Sequence, residues 1–259
     1  MSLLCLDVSN SHTTLGVFEE AELIAQWVVG SDHRRTSDEW EVLISGLLRR
    51  SRIDDVDAVS VSCTVPSILV ELRAMRDRYY AGVPYSIVGP GVRTGVRIHT
   101  DNPREVGADR VVNALAAVEI YGGPAIVVDM NGTATIFDVI NVHGDYIGGM
   151  IAPGVELSLD TLARRGAQLR AVELVTPRHI VGKNTTESLQ AGAVYGFAGL
   201  VDGIVGQILD ELDADDDVPV IAAGAYPDAV VEQCRTITHL DRWLTLTGLR
   251  IVHERNIVG

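Results

Sequence analysis

Apolar residues along this chain come in short runs that stop abruptly, and two of the runs stop on the same residue type. Leu3-Leu4-Cys5-Leu6 ends on Asp7 and passes into Val8-Ser9-Asn10-Ser11; Ala125-Ile126-Val127-Val128 ends on Asp129 and passes into Met130-Asn131-Gly132-Thr133. A second apolar stretch follows each, Thr14 to Phe18 and Ile136 to Ile140. Each then has a turn and a third stretch, Leu23 to Trp27 and Tyr146 to Met150. Runs of this length bounded by turn residues predict strands, so the chain predicts two copies of one strand–loop–hairpin unit. Asp is a poor strand residue and costly to bury, so its matched placement argues for chemistry. Small hydroxyl and glycine residues after each Asp let backbone N–H groups approach an anion. Taken singly, each Asp is equally a turn opener. Taken as a pair, the loops predict a clamp on nucleotide phosphates, with the carboxylates holding a metal ion.

Between and after these units the pattern alternates helix and strand. Thr36-Ser37-Asp38-Glu39 opens a helix carrying Trp40, Leu43, Ile44 and Leu47. Ala58 to Ser62 reads as a buried strand stopping before Pro66, and Ser67 as the cap of a helix with Leu69, Leu72 and Met75. Tyr85 to Val88 is a strand ended by Gly89-Pro90-Gly91. Asn102-Pro103 begins a long helix through Val106, Val112 and Leu115 to Gly122-Gly123. In the second half a helix follows Pro153-Gly154, then a loop through Pro177. Asn184-Thr185-Thr186-Glu187 reads as a capping box before a helix burying Leu189, Val194, Phe197, Leu200, Ile204, Val205 and Ile208. Asp210 to Asp217 is an exposed acidic stretch, Val218 to Ala222 a strand turning at Gly224, and Leu246, Leu249 and Val252 mark a terminal helix. The expected architecture is α/β, with subdomains 1–121 and 122–259. Each has a mixed sheet with helices on its faces, and the cleft between them is the natural ligand site.

Composition narrows the function. A chain of 259 residues with 47% apolar residues builds a large core, and its net charge of −14 disfavours nucleic acid or an anionic membrane as a partner. A mean hydropathy of +0.19 leaves apolar surface for a partner subunit. Cys5, Cys63 and Cys234 are far apart and form no Cys-x-x-Cys, which reads as reduced core thiols. The seven His residues show no paired ligand spacing for zinc. The apolar run before Asp7 is too short for a signal segment and no long apolar run exists, so a cytoplasmic protein is expected.

Four further segments carry candidate chemistry. Asp109 and Arg110 in Gly107-Ala108-Asp109-Arg110 read either as an exposed helical charge pair or as site residues. Gly182-Lys183-Asn184-Thr185 caps a helix whose N-terminus favours an anion such as a carboxylate or phosphate. Val220-Ile221-Ala222-Ala223-Gly224-Ala225 is a strand and glycine turn, against which a nucleoside base can lie or which simply joins strand to helix. His12 reads as a polar loop residue, and Arg34-Arg35 and Arg164-Arg165 as solvated faces.

In this order the segments resemble the type III pantothenate kinases, bacterial members of the actin-like, sugar-kinase-like phosphotransferases. The resemblance rests on Asp101-Asn102-Pro103-Arg104-Glu105-Val106-Gly107-Ala108-Asp109-Arg110, Gly148-Gly149-Met150-Ile151-Ala152-Pro153-Gly154, Val181-Gly182-Lys183-Asn184-Thr185 and Tyr195-Gly196-Phe197-Ala198-Gly199-Leu200-Val201-Asp202-Gly203. Gly89-Pro90-Gly91-Val92-Arg93-Thr94-Gly95 is also family-like. The resemblance implies a duplicated ribonuclease H-like, actin-like ATPase fold and ATP-dependent phosphorylation of pantothenate. It implies that the loop Asp7, Val8, Ser9, Asn10, Ser11, His12, Thr13 and Thr14 meets the ATP phosphates, and that Asp7 holds Mg²⁺ through them. Asp109 becomes the general base. Gly107, Ala108, Asp109, Arg110 and Thr185 bind the substrate, with Arg110 placed for its carboxylate or phosphate. Gly132 and Thr133 approach ATP, and Asp129 holds a monovalent cation, K⁺ or NH₄⁺. A homodimer with its pocket near the subunit interface is implied as well.

The chain departs from the family pattern on the nucleotide side. Ser9 stands where the first loop usually has Gly, Met130 and Asn131 both intervene before Gly132, Gly224-Ala225 replaces a paired glycine, and Thr100 stands where Tyr is common. These changes predict weakened ATP handling. The alternative reading is therefore a catalytically impaired binding protein that keeps the pantothenate pocket. A transcription accessory role is a third, disfavoured by the acidic charge and the lack of a basic stripe.

Overall fold

The computed structural model describes residues 1–89, 91–166, 171–213 and 217–257. Pro90 of the expected glycine-proline turn and Asp215 and Asp216 of the acidic stretch lie outside them. The chain groups into two compact units that do not follow a single cut. The first comprises Met1–Gly95, Asn102–Ala116 and Thr245–Gly259, the second Val96–Asp101 and Ala117–Leu244.

The first unit opens with β1 (Ser2–Val8), β2 (His12–Glu19) and β3 (Glu22–Gly30), then α1 (Ser37–Arg50), β4 (Ala58–Cys63), α2 (Pro66–Tyr79) and β5 (Tyr85–Ile87). Its sheet runs β3-β2-β1-β4-β5. The hairpin pairs antiparallel and β1, β4 and β5 pair parallel. Alternation along the strands gives two unlike faces. Leu4, Leu6, Val8, Leu15, Val17, Val59 and Val61 pack against Trp40, Ile44 and Leu48 of α1 and Ile68, Leu72 and Met75 of α2. The opposite face meets the C-terminal helix α7 (Leu244–Ile257): the Ser60 hydroxyl donates to the Leu249 carbonyl at 3.1 Å, and Gly16 leaves room for Leu246. That packing explains why the last helix groups with the first sheet.

The second unit repeats the plan. After α3 (Ala108–Tyr121) come β6 (Ala125–Asp129), β7 (Ala134–Ile140), β8 (Tyr146–Pro153), α4 (Val155–Arg165), α5 (Thr185–Glu211), β9 (Val220–Ala223), α6 (Asp228–Val231) and β10 (His239–Asp241). The sheet order is β10-β9-β6-β7-β8, the first sheet's order read backwards. Asp7 faces Thr14 across its hairpin and Asp129 faces Ile136, the same spacing in both copies. The core of this unit joins Ile126, Val128, Phe137 and Val220 to Val194, Val201 and Val205 of α5. By length and composition α5 is apolar enough to cross a membrane. Here it is the core helix of the unit, and its Asp202 carboxylate accepts from the Arg235 and Thr236 amides at 2.8 and 3.0 Å.

Three local expectations are corrected. The α2 cap is Val65, with extended backbone and no side-chain bond, because Pro66 fills the first helical position with its φ preset. The segment after Asn102 is a single 3₁₀ turn, Pro103–Glu105, and extended Val106 separates it from α3. The capping box at Asn184 is half formed. Asn184 Oδ1 accepts from the Glu187 amide at 2.9 Å, whereas Glu187 reaches the amide of Lys183 at 3.3 Å instead of that of Asn184. A complete box opens α1, between Thr36 and Glu39.

Candidate active site

In the first unit, Asp7 sits where β1 leaves the sheet, 7% exposed, with Thr14 of β2 and Ser62 of β4 beside it in register. The turn that follows is closed by Ser9, whose amide and hydroxyl both donate to the His12 carbonyl at 3.1 and 2.9 Å. Its outer side is tied down by the chain leaving β3. The Ser31 amide donates to the Ser11 carbonyl at 3.0 Å, and the Thr13 and Ser31 hydroxyls lie 2.8 Å apart. Ser9 is not among the residues with positive φ. The side chain at this position therefore meets no left-handed backbone, and it adds a bond that glycine lacks. Within the same segment Arg35 is not a solvated cation: its guanidinium stacks 4.6 Å from the centre of the Trp40 ring, while Arg34 stays exposed beside Asp32.

In the second unit the residue between Asp129 and Gly132 that lengthens the loop is absorbed in two ways. Met130 is 4% exposed and packs into the core, and the Asn131 amide donates to Asp129 Oδ1 at 2.9 Å. Gly132 has φ +92°, open only to a residue without Cβ. Gly154, which caps α4, donates its amide to the Thr133 carbonyl at 2.9 Å and lies so close to Gly132 that a Cβ would strike the loop backbone. Gly224, φ +71°, passes Asp129: a Cβ there would be 3.0 Å from Oδ1. The strand-to-helix turn after β9 thus backs onto the Asp129 loop.

Asp109 occupies the first turn of α3, which opens where the Gly107 carbonyl accepts the Val111 amide at 3.2 Å. The broken helix start matters: a helix running from Asn102 would bury Asp109 mid-helix, whereas here it stands at an N-terminus. A Cβ on Gly107 would collide with its carboxylate, so this glycine is what lets the side chain fold back over the helix start. Asp109 and Arg110 are half-buried, which removes the reading as an exposed charge pair. Asp109 Oδ1 is sealed from solvent and accepts no hydrogen bond. Burial raises its pKa above the ordinary carboxylate value, opposed by the Arg110 amide and the Arg110 charge. Ala108 is half-buried beside it. Thr185 is exposed at the first position of α5, held by the Asn184 cap and by Gly182, whose lack of Cβ lets the loop lie on the first turn.

The structure thus groups the Asp7 loop with Gly107–Arg110 in the first unit, and Asp129, Gly132 and Thr133 with Thr185 in the second. Sequence reasoning passed over Ser62, which reads as an ordinary strand residue. It also passed over Asp138, fully buried in β7, which accepts from the Tyr146 hydroxyl at 3.1 Å. A lone Asp inside an apolar strand was the available signal for the second.

Two five-stranded mixed sheets of one topology, each with an Asp-ended strand leading a hairpin, define the actin-like fold of sugar kinases and related ATPases. Solved structures of that class align along the whole chain. They include a ROK-family glucokinase from Streptomyces griseus (TM-score 0.54, 12% identity, 100% of each chain). Another is the activator of 2-hydroxyisocaproyl-CoA dehydratase from Clostridium difficile with bound ADPNP (TM-score 0.55, 11% identity, 100% and 98%). Within the class, the family model for type III pantothenate kinase matches residues 3–207. Relatives described as type III pantothenate kinase are 52% identical in Nocardioides sp. (99% of this chain, 100% of the relative) and in Thermobifida fusca (98% and 99%). This chain belongs to the type III pantothenate kinase family.

Proposed function

We propose that the chain is an ATP-dependent kinase that phosphorylates pantothenate to 4'-phosphopantothenate, the first step of coenzyme A synthesis. Family membership supports the reaction, and the observation that carries its chemistry is Asp109, a carboxylate with a sealed, unbonded oxygen at a helix N-terminus. In this reading Asp109 accepts the proton of the primary hydroxyl as that oxygen bonds to the γ-phosphorus, and the bond from that phosphorus to the β–γ bridging oxygen breaks to release ADP. Phosphoryl transfer asks little more of a protein than positioning and charge stabilisation. Arg110 pairs with the substrate carboxylate, and Gly107, Ala108 and Thr185 complete its contacts.

Residues 7–14, Gly132 and Thr133 take the ATP phosphates. Asp7 suits Mg²⁺, which binds through one or two carboxylates together with substrate phosphates; the ion neutralises phosphate charge when bound. Asp129 takes a monovalent cation, K⁺ or NH₄⁺. The binding-protein alternative rested on Ser9, the lengthened second loop, Gly224-Ala225 and Thr100. Ser9 closes its turn without left-handed strain and Asn131 holds Asp129, which removes two of its grounds and favours the active kinase.

We further propose a homodimer acting in the cytoplasm, where ATP is plentiful. An exposed face of α5 made of Gly192, Gly196, Gly199 and Gly203, and the exposed Met150 and Ile151 of edge strand β8, support self-association. ADP release coupled to pantothenate, with and without K⁺, tests the activity. Pantothenate-independent ADP release, or none at all, would overturn it.

A further inference from the structure

Ser62 ends the buried run of β4 with its hydroxyl sealed from solvent and without a hydrogen-bond partner. Two residues earlier, on the same strand and the same face, the equally buried Ser60 hydroxyl donates to the Leu249 carbonyl. The unit therefore satisfies one serine and leaves the next one open. Buried orphan hydroxyls are uncommon in native proteins and ask for an explanation, often an absent water, ion or ligand.

Register locates that ligand. Asp7 pairs with Ser62 on one side and with Thr14 on the other, so Thr14, Asp7 and Ser62 form one row on one face of the sheet. The row lies where β1 gives way to the phosphate loop. The second unit has the same topology, and its equivalent row is Ile136, Asp129 and Ala223, with no hydroxyl. The flanking hydroxyls are thus not demanded by the sheet; they belong to the copy whose Asp is assigned the divalent ion.

We propose that Ser62 is a positioning residue, its hydroxyl oxygen accepting from a water in the hydration shell of the Mg²⁺ that accompanies ATP at Asp7. This rests on the reading of Asp7 given above. Mg²⁺ gives up its waters reluctantly and is held through them, so a second contact beyond the carboxylate fixes the ion's position and orients its hydration shell. Ser62 stands beside Asp7 in the row, next to the carboxylate to which the ion is assigned.

Calorimetry of ATP binding with and without Mg²⁺, together with melting of the nucleotide-free protein, tests this. Ser62→Ala is expected to cut the Mg²⁺-dependent gain in ATP affinity by about tenfold, the worth of one hydrogen bond in a charged setting. ATP affinity without Mg²⁺ should stay unchanged, and the melting temperature should stay unchanged or rise. Ser60→Ala should do the reverse, lowering the melting temperature and sparing both affinities. Ser62→Cys, a nearly isosteric change whose sulfur is a weak acceptor, should follow Ser62→Ala.

An unchanged Mg²⁺-dependent gain in Ser62→Ala overturns the proposal. So does an equal loss without Mg²⁺, which puts the hydroxyl on phosphate, or a drop in melting temperature like that of Ser60→Ala, which makes it structural. Asp7→Asn separates the two levels. If it abolishes the Mg²⁺-dependent gain while Ser62→Ala does not reduce it, only the Ser62 assignment falls. If Asp7→Asn leaves the gain intact, the reading of Asp7 falls with it.

Discussion

At the scale of single residues, glycine and carboxylate placement does most to shape the candidate site. Asp109→Asn keeps the size of the side chain and removes the proton acceptor. Turnover in the coupled ADP assay should fall by about 10²–10⁴-fold, the usual contribution of a general base, with pantothenate affinity preserved in calorimetry. The pH dependence follows from the raised pKa. A base works only when deprotonated, so kcat/KM should fall on the acid side, with its midpoint above that of an ordinary carboxylate. An acid limb at the ordinary carboxylate position would separate Asp109 from the rate-limiting protonation. Gly154→Ala makes a different point. Its new methyl group meets backbone, the Gly132 carbonyl and the Thr133 carbon 2.9 Å away, and neither can step aside as a side-chain end can. The Asp129 loop must shift, so ATP affinity should drop while pantothenate affinity holds. Deleting Asn131 to match the usual family spacing should weaken ATP binding, because it draws Gly132, held at φ +92°, out of its turn and into the place beside Asp129.

At the scale of elements, α7 shows how a helix can be legible while its role is not. Leu246, Leu249 and Val252 marked it in the sequence, but no local pattern says which sheet it covers; that was decided by Gly16, Ser60 and Val112, far away along the chain. On this helix His253 is 2% exposed with Nε2 unbonded, and burial lowers its pKa against the opposing pull of Glu254. The folded protein keeps this imidazole neutral, and the unfolded chain protonates near pH 6.5. The penalty is absent above that value and grows as pH falls below it. Between pH 7 and pH 5 the melting temperature of the native protein should fall more steeply than that of His253→Gln. Parallel curves would show that His253 protonates freely in the fold.

The same division runs through the remaining elements. The two hairpins, α1, α4 and α5 could be read from periodicity and caps, since their signals are local. The start of α3 could not. Asn102-Pro103 is a good helix opener by itself, and only the extended Val106 and the tight Gly107 turn it into a separate 3₁₀ step. The candidate-site residues were proposed from motifs, but Ser62 could not be, because its proposed role comes from register with Asp7 rather than from its neighbours in sequence.

At the scale of the whole molecule, the glycines of α5 pose a question of stability. Glycine inside a helix costs about 1 kcal/mol relative to alanine, yet α5 carries Gly192, Gly196, Gly199 and Gly203 in its length, and an added Cβ at any of these would meet nothing within 4 Å. Nothing among the described residues requires them. If the protein were monomeric, Gly196→Ala and Gly196→Leu would both stabilise it by strengthening the helix, with no other effect. If two α5 helices approach closely across a two-fold axis, the glycines are the space into which the partner backbone fits, and a bulky side chain holds the helices apart. The proposed dimer therefore predicts light scattering at twice 27.9 kDa for the native chain at micromolar concentration. It also predicts dissociation of Gly196→Leu to monomers that retain native helix content by circular dichroism. A native chain that scatters as a monomer, or a Gly196→Leu variant that stays dimeric, would remove this helix face from the interface.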